Sequence, residues 1–595
     1  MNALFTRRAL FAGAACHALL APPACRLPAP ALQPAAVAGS AAAPEPTPTP
    51  TWTQQMRATM TLEQKVGQMI MIAFEGTQAS EMVRHMIAER HVGGVILFRG
   101  NMVSPAQVAA LTRELQEIAL LSPPGLPLFI ATDHEGGIVQ RIVEGVTPLP
   151  GNMALGATWS EEDVRASAAI AAGELLAMGI NVNLAPVVDV NNNARNPVIG
   201  VRSFGSQPEQ VARWGAITIQ TLQERGVVAT AKHFPGHGDT TVDSHIALPA
   251  IEHSLARLEA VELLPFRAAI QAGVDAIMTA HVTFPALDPQ PGLPATLSPR
   301  VVTELLRQKL GFQGLIITDD LEMGAIVERY SVPAAAVMAL KAGADILLFR
   351  YNHDYQAQAI DAILEAVRSG EIPAERIEQS VERILQVKAM RGIVDRAAAP
   401  PQDAARLVGQ PESLERVRQI GSRAVTLVRD EGGLVPLPQD GRLRVLNPAL
   451  AEIARAEPLV NDQVTLAAEL RRRGVALDES AYTLWATDDE IRRHVQAARA
   501  ADRLVLATYD LARYPRQRIL VEQVLALGKP TIAVALRSPY DLLSYRTVPA
   551  YLVTYGYRPA LVAAAADILA GRAQPKGRLP VELPELYPAG HGIVR

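Results

Sequence analysis

The chain is poor in cysteine. It has only two in 595 residues, Cys16 and Cys25, both near the amino terminus. Everything after Cys25 lacks a thiol, which excludes disulfide staples, thiolate metal sites and a cysteine nucleophile from the remainder. Aromatic residues are also sparse, at 5%, too few for a surface dense in stacking platforms but enough for one ligand pocket. No basic excess exists either: 56 Lys and Arg against 60 Asp and Glu leave a net charge of −4. That balance speaks against a nucleic-acid partner. Apolar residues are plentiful, at 49% with 19% charged, so the chain is globular and able to bury large cores. Its length implies roughly two to four domains.

The first 25 residues read as a secretory signal. Met1 to Arg8 is short and basic, Ala9 to Cys25 is apolar, and no acidic residue precedes Glu45. The stretch is too short, and too interrupted by proline, for a membrane span. Thr6-Arg7-Arg8-Ala9-Leu10-Phe11 resembles a twin-arginine export signal, the alternative being an ordinary signal that contains two arginines. Residues 26–52, ending in PEPTPTPTW, form a stiff spacer. Small Ala24 and a proline-rich tether flank Cys25 as they would a lipidated residue, yet Pro22 sits where an aliphatic belongs. Membrane contact is therefore expected only if Cys25 is lipidated, and the mature protein is expected in the periplasm, the cell envelope or outside the cell.

Residues 53–395 alternate short apolar runs with longer amphipathic ones. The strand candidates are Gln68–Phe74, Gly94–Phe98, Leu128–Asp133, Val182–Val190, Val228–His233, Ala276–Val282, Leu315–Asp319 and Asp345–Phe349. Helical patterns lie between them, such as Pro105–Leu120, Glu161–Ala177, Pro208–Arg225 and Arg300–Lys309. Eight strands with intervening helices fit a closed TIM (β/α)8 barrel, though an open doubly wound sheet has the same local pattern. The polar residues separate the two. A barrel collects its chemistry at the carboxyl ends of its strands, and here the third strand runs into Asp133-His134-Glu135, the fifth into Lys232-His233, the sixth into His281 and the seventh into Asp319-Asp320.

Residues 396–413, rich in Ala, Pro, Gln and Gly, read as a linker to a second domain over 414–595. Five apolar runs follow, Ala424–Val428, Leu443–Leu446, Leu504–Tyr509, Thr531–Leu536 and Tyr551–Tyr555, with helical patterns at Asn461–Arg473, Asp488–Ala501, Arg516–Leu527 and Pro559–Leu569. This is the pattern of an αβα sandwich. Asn447-Pro448, not a glycine-rich phosphate loop, follows Leu443–Leu446, so a nucleotide site is unsupported.

The segment Lys232 to His245, KHFPGHGDTTVDSH, gathers three histidines and two aspartates in a glycine- and proline-bent loop. Histidine titrates near neutral pH, and a nearby carboxylate fixes its tautomer and steadies its charged form. Asp243 and His245 are close enough to pair this way. The alternatives are a zinc site on His233, His237, His245 and Asp243, whose spacing matches no common metal pattern, and a purely structural histidine cluster.

This segment resembles the signature of family 3 glycoside hydrolases, in their bacterial β-N-acetylglucosaminidase branch and two-domain form. Asp133-His134-Glu135-Gly136-Gly137-Ile138-Val139-Gln140-Arg141, Arg202-Ser203-Phe204-Gly205, Ile317-Thr318-Asp319-Asp320-Leu321-Glu322-Met323 and Gly577-Arg578-Leu579-Pro580-Val581 resemble further segments of that family. The resemblance covers nearly everything from about Thr61 to Leu583. The resemblance implies Asp319 as catalytic nucleophile, His245 as general acid/base and Asp243 as the partner of His245. It implies Asp133, Arg141, Arg202, Lys232 and His233 as substrate-binding residues; His281 is added from its place at a strand end. Two departures stand out. Ile138 replaces a frequent arginine, and Asp320 follows the nucleophile where the β-glucosidase branch has tryptophan.

The expected activity is exo-acting, retaining hydrolysis of terminal β-linked N-acetylglucosamine, from muropeptides or other N-acetylglucosaminyl glycosides, without metal or cofactor. The competing expectations are a phosphorylase using phosphate as acceptor, a β-glucosidase or β-xylosidase, and an inactive barrel that binds cell wall. In this branch the second domain is not needed for the chemistry, and its expected role is architectural.

Overall fold

The computed structural model describes residues 51–398, 403–438, 440–450 and 464–595. The expected export signal and nearly all of the expected spacer lie outside the described residues. No helix among the described residues is long and apolar enough to cross a membrane.

Eight strands form the first sheet: β1 (Ile70–Ile72), β2 (Gly94–Ile96), β3 (Phe129–Thr132), β4 (Val182–Asn183), β5 (Val228–Phe234), β6 (Ala276–Thr279), β7 (Leu315–Ile317) and β8 (Leu347–Phe349). All pair in parallel, in the order β8-β1-β2-β3-β4-β5-β6-β7. Ile317 bridges Ile346, and the Thr318 N–H donates to the Ile346 carbonyl at 3.0 Å, which brings β7 back to β8 and closes the ring. Every strand residue is buried, as strands covered on both faces must be. The architecture is the (β/α)8 barrel expected.

The strands are the centres of the apolar runs, with one large difference. Of Val182–Val190, only Val182–Asn183 is ladder. Pro186 has no N–H to contribute, and beyond it the chain follows β5 irregularly, Val188 N–H reaching the Lys232 carbonyl at 2.8 Å. This departure frees Asp189 from the sheet. Helix Glu161–Ala177 has the expected limits: Ser160 accepts the Asp163 N–H, and Glu161, Glu162 and Asp163 fill the first turn, where the helix dipole favours negative charge. Arg300–Lys309 is wound as a π-helix.

Residues 396–413, expected as a linker, carry helix Ala404–Leu407 and the start of helix Pro411–Ala424. The latter is pinned to the barrel by Arg416 and Arg423, whose guanidiniums grip buried Asp163. The second sheet has six strands: β9 (Thr426–Asp430), β10 (Leu443–Ala449), β11 (Asp478–Thr483), β12 (Arg503–Thr508), β13 (Thr531–Ala535) and β14 (Ala550–Val553). Their order is β9-β14-β13-β12-β10-β11, parallel except for β9. The strand absent from the sequence reading is β11, DESAYT. It lies at the sheet edge with Asp478 and Ala481 exposed, so it needs no continuous apolar run.

The two domains share a hydrophobic interface. Ile138, Met153, Ala154 and Val201 of the barrel belong to the core of the second domain. Buried Arg558 donates through Nε to the Gly137 carbonyl at 2.7 Å, and Ser206 N–H donates to the Pro580 carbonyl at 3.0 Å. Ile138 is therefore an apolar interdomain contact.

Candidate active site

A cavity of about 440 Å³ opens at the carboxyl ends of the barrel strands. Eight of the nine expected site residues line it: Asp319, His245, Asp243, Asp133, Arg141, Arg202, Lys232 and His233. The ninth, His281, is fully buried behind it. Its Nε2–H donates to the Asp320 carbonyl at 2.9 Å, and its Nδ1 lies 2.9 Å from Thr296 Oγ1. The expectation of His281 as a substrate contact is corrected: both ring nitrogens are already committed to protein.

One wall is a network of alternating charge. Lys232 Nζ lies 2.6 Å from Asp133 Oδ1 and 2.8 Å from Glu135 Oε1. Arg141 donates to the other oxygen of Asp133 at 3.1 Å, and Arg202 forks onto Glu135 through Nε and Nη2 at 2.9 and 2.8 Å. Burial raises the Asp133 carboxyl, but Lys232 and Arg141 outweigh it and hold the group well below the carboxylate range. Burial likewise opposes ionisation of Glu135, and Arg202 and Lys232 bring it to about 2. Buried charges of this kind are tolerable only when fully paired, so the wall presents rigid, directional donors and acceptors to a ligand.

A second network fixes the histidines. Asp189 accepts from the His233 ring at 2.7 Å (Nδ1 to Oδ2), from the His233 main-chain N–H, and from the His237 N–H at 2.7 Å. On the far side His233 Nε2 faces Arg202 Nη2 at 3.4 Å. A guanidinium only donates, so His233 offers its lone pair there and its N–H to Asp189. His237 lies between Thr240 Oγ1 and Ser244 Oγ, at 2.9 and 3.0 Å, and burial lowers it to about 4. The zinc alternative fails on these contacts. His233, His237 and His245 each turn to a different partner, and a cation already stands beside His233.

Asp239, His253 and Glu262, the one group of possible metal ligands that converges among the described residues, has its own cation. Arg257 spans both Glu262 oxygens at 3.0 Å.

The loop after β5 carries the dyad. Two glycines permit its course: a Cβ on Gly238 would fall 1.8 Å from the Val190 carbonyl oxygen, and one on Gly324 would fall 2.7 Å from that of Ile246. The loop can thus lie down beside the residues following β7. Asp243 Oδ1 accepts from the His245 ring and main-chain N–H groups at 2.8 and 2.9 Å. His245 is half exposed and Asp243 less so. The Asp243 hydrogen bond raises the His245 pKa; burial opposes this and Asp319 adds to it. Asp319 follows β7 and accepts the Asp320 N–H at 2.8 Å. Burial would raise its pKa, but His281, His233 and His245 together hold it below the usual value.

Several contributors were absent from the expected set. Phe98 forms part of the floor, with Arg141 and Arg350 each 5.6 Å from its ring centre. Glu135 stood in plain view inside the Asp-His-Glu motif, and Asp189 was the one charged residue within the run Val182–Val190. Arg513 and Arg537 reach the cavity from the second domain. Arg537 pairs with Asp510 and lies over Tyr509. The second domain is thus part of the cavity wall, beyond the architectural role expected of it.

Residues 61–387 match the glycosyl hydrolase family 3 N terminal domain and residues 425–588 the family's C-terminal domain. The chain belongs to glycosyl hydrolase family 3. It is 32% identical over 557 residues to Beta-hexosaminidase A of Pseudoalteromonas piscicida, covering 83% of this chain and 90% of that one. It is 30% identical over 561 residues to a Cellulomonas fimi protein named Beta-N-acetylglucosaminidase/beta-glucosidase, covering 89% and 95%. The solved structure of a family 3 beta-N-acetylglucosaminidase from Paenibacillus sp. str. FPU-7 superposes with a TM-score of 0.84 at 43% identity, covering 88% of this chain and 99% of that one.

Proposed function

We propose that this chain is an exo-acting β-N-acetylglucosaminidase that hydrolyses terminal β-linked N-acetylglucosamine with retention of configuration. The observation that carries the reading is the convergence of Asp319 and the Asp243–His245 dyad on one cavity walled by paired charges. In the first step an Asp319 carboxylate oxygen attacks the anomeric carbon. The glycosidic C–O bond breaks, and its oxygen takes the proton from His245. Because Nδ1 is committed to Asp243, Nε2 is the nitrogen that carries this proton. In the second step His245 takes a proton from water as the water oxygen attacks the anomeric carbon, and the bond to Asp319 breaks. Retaining glycosidases ordinarily assign the acid/base role to a carboxyl group. An imidazole suits it as well, since its ordinary pKa lies near 6.5.

The natural substrates in this reading are peptidoglycan fragments. Arg350, Arg513 and Arg537 on the cavity wall supply cations for an aglycone bearing carboxylates, as a muropeptide does. The basic and apolar leader supports export to the periplasm or cell envelope. Replacing Arg7 and Arg8 by lysine traps precursor in the cytoplasm if the twin-arginine route is used; normal export of that variant overturns the route.

The activity is tested with aryl β-glycosides of N-acetylglucosamine, glucose and xylose, with and without phosphate, products followed by proton NMR. The reading expects N-acetylglucosaminide cleavage, β-configured N-acetylglucosamine as first product and no glycosyl phosphate. A preferred glucoside or xyloside, an inverted product, or glycosyl phosphate formed in place of the free sugar overturns it.

A further inference from the structure

The residue after Asp319 holds an oxygen that the fold leaves without a hydrogen bond. Asp320 is only 5% exposed, yet it lines the cavity. Its Oδ1 accepts the Glu322 N–H at 3.0 Å, and its main-chain carbonyl accepts from His281 at 2.9 Å, so its position is set from two sides. Oδ2 is buried and has no hydrogen-bond partner among the described residues. Arg350 Nε is 3.6 Å from it, within ion-pair range but beyond hydrogen-bond length, so the guanidinium offsets part of the cost of charge there without satisfying the oxygen. The charged groups facing this carboxyl are Asp319 and Glu322 on its own loop and Arg350 just past β8.

An ionised carboxylate is badly served in such a place, buried beside a second carboxylate and with one oxygen unsatisfied. The neutral acid fits it, with Oδ1 accepting and Oδ2 carrying a proton to donate. We propose that Asp320 is a substrate-binding residue that acts as a hydrogen-bond donor, its Oδ2–H directed to an oxygen of the sugar seated over Asp319. This inference rests on the glycosidase reading above. Burial, aided by Asp319 and Glu322 and opposed by the Glu322 N–H and Arg350, pushes the Asp320 carboxyl up to about 8. The donor is therefore present below that pH and is lost as pH rises through it. Two adjacent carboxyls are driven to opposite roles by their surroundings: three histidines keep Asp319 charged, and burial keeps Asp320 neutral.

The test is calorimetric binding of N-acetylglucosamine to the full chain between pH 6 and 9.5, in the wild type, Asp320→Asn and Asp320→Leu. The wild type is expected to bind and to weaken above pH 8. Asparagine keeps an acceptor for the Glu322 N–H and a donor at the second position. Asp320→Asn therefore rescues binding to within about threefold of the wild type at pH 6, and its affinity is flat across pH 7 to 9. Asp320→Leu loses roughly tenfold, the worth of one buried hydrogen bond, and melts somewhat earlier because the Glu322 N–H loses its acceptor. Asparagine binding as weakly as leucine, or leucine binding like the wild type, overturns the proposal while leaving the glycosidase reading intact. A wild type that does not bind the sugar overturns the glycosidase reading itself.

Discussion

His245 Nδ1 lies 2.8 Å from Asp243 Oδ1, and the same oxygen accepts the His245 main-chain N–H at 2.9 Å. One carboxylate oxygen thus sets both the tautomer and the rotamer of the imidazole. Its hydrogen bond raises the His245 pKa, and the pairing lowers that of Asp243 against the opposing effect of burial. His245 works as an acid in the first step, so activity is present below its pKa and lost as pH rises through it. Raising that pKa extends the active range upward. Asp243→Asn keeps an oxygen to orient the ring but removes the charge, so the alkaline limb of kcat/KM moves to lower pH and the maximum falls. An unchanged pH profile overturns the dyad.

Asp319 has the opposite dependence. Burial raises its pKa, but three histidines more than offset this, so the acid limb of the profile falls below the usual carboxylate range. Asp319→Asn removes the attacking charge and is expected to reduce turnover to background with an unchanged melting temperature. A rate near that of the wild type moves the nucleophile elsewhere.

Arg513 and Arg537 test whether the second domain reads the aglycone. Replacing either by alanine is expected to raise KM for a carboxylate-bearing muropeptide roughly tenfold, the loss of one charge-assisted hydrogen bond. An uncharged aryl N-acetylglucosaminide is expected to change far less. Equal losses on both substrates would assign these arginines to the domain interface alone.

The barrel was legible in the sequence because its strands are buried on both faces and read as unbroken apolar runs. β11 was hidden because an edge strand needs no such run, and Val182–Val190 was overextended because Pro186 ends the ladder without ending the apolar pattern. Asp319, Asp243 and His245 were legible because they sit in contiguous motifs. Arg513 and Arg537 were not, since the fold brings them to the cavity from a separate domain. His281 shows the converse: a strand-end position marks nearness to the cavity but does not say whether the ring faces it.

Asp189 is the contributor whose loss the fold itself should feel. Three N–H donors converge on its buried carboxylate. Asp189→Asn turns an N–H toward at least one of them, which costs about 1–3 kcal/mol for the stranded donor. The carboxylate's folded pKa lies below its ordinary value because His233 and His237 outweigh burial. Its stabilisation is therefore present above the unfolded pKa and lost as pH falls through the folded one. The asparagine variant is expected to melt earlier at pH 7, with the gap from wild type closing in acid. A gap that does not narrow overturns this role.

His245→Ala separates an acid/base from a structural histidine. The side chain is more than half exposed, at 54%, so its truncation leaves no core cavity and should barely move the melting temperature. A disaccharide has a poor leaving group and needs proton donation, whereas an activated aryl glycoside departs without it. The variant is therefore expected to lose far more rate on disaccharides. On activated substrates the missing base slows only the second step, so glycosyl-enzyme on Asp319 accumulates and adds one sugar residue to the intact mass. Azide attacks the anomeric carbon without giving up a proton, so it restores turnover and yields a glycosyl azide of retained configuration. Uniform loss across substrates, with a lowered melting temperature and no azide rescue, would make His245 structural and leave Asp320, whose carboxyl is raised to about 8, as the candidate for the acid, since Glu135 is held ionised by Lys232 and Arg202.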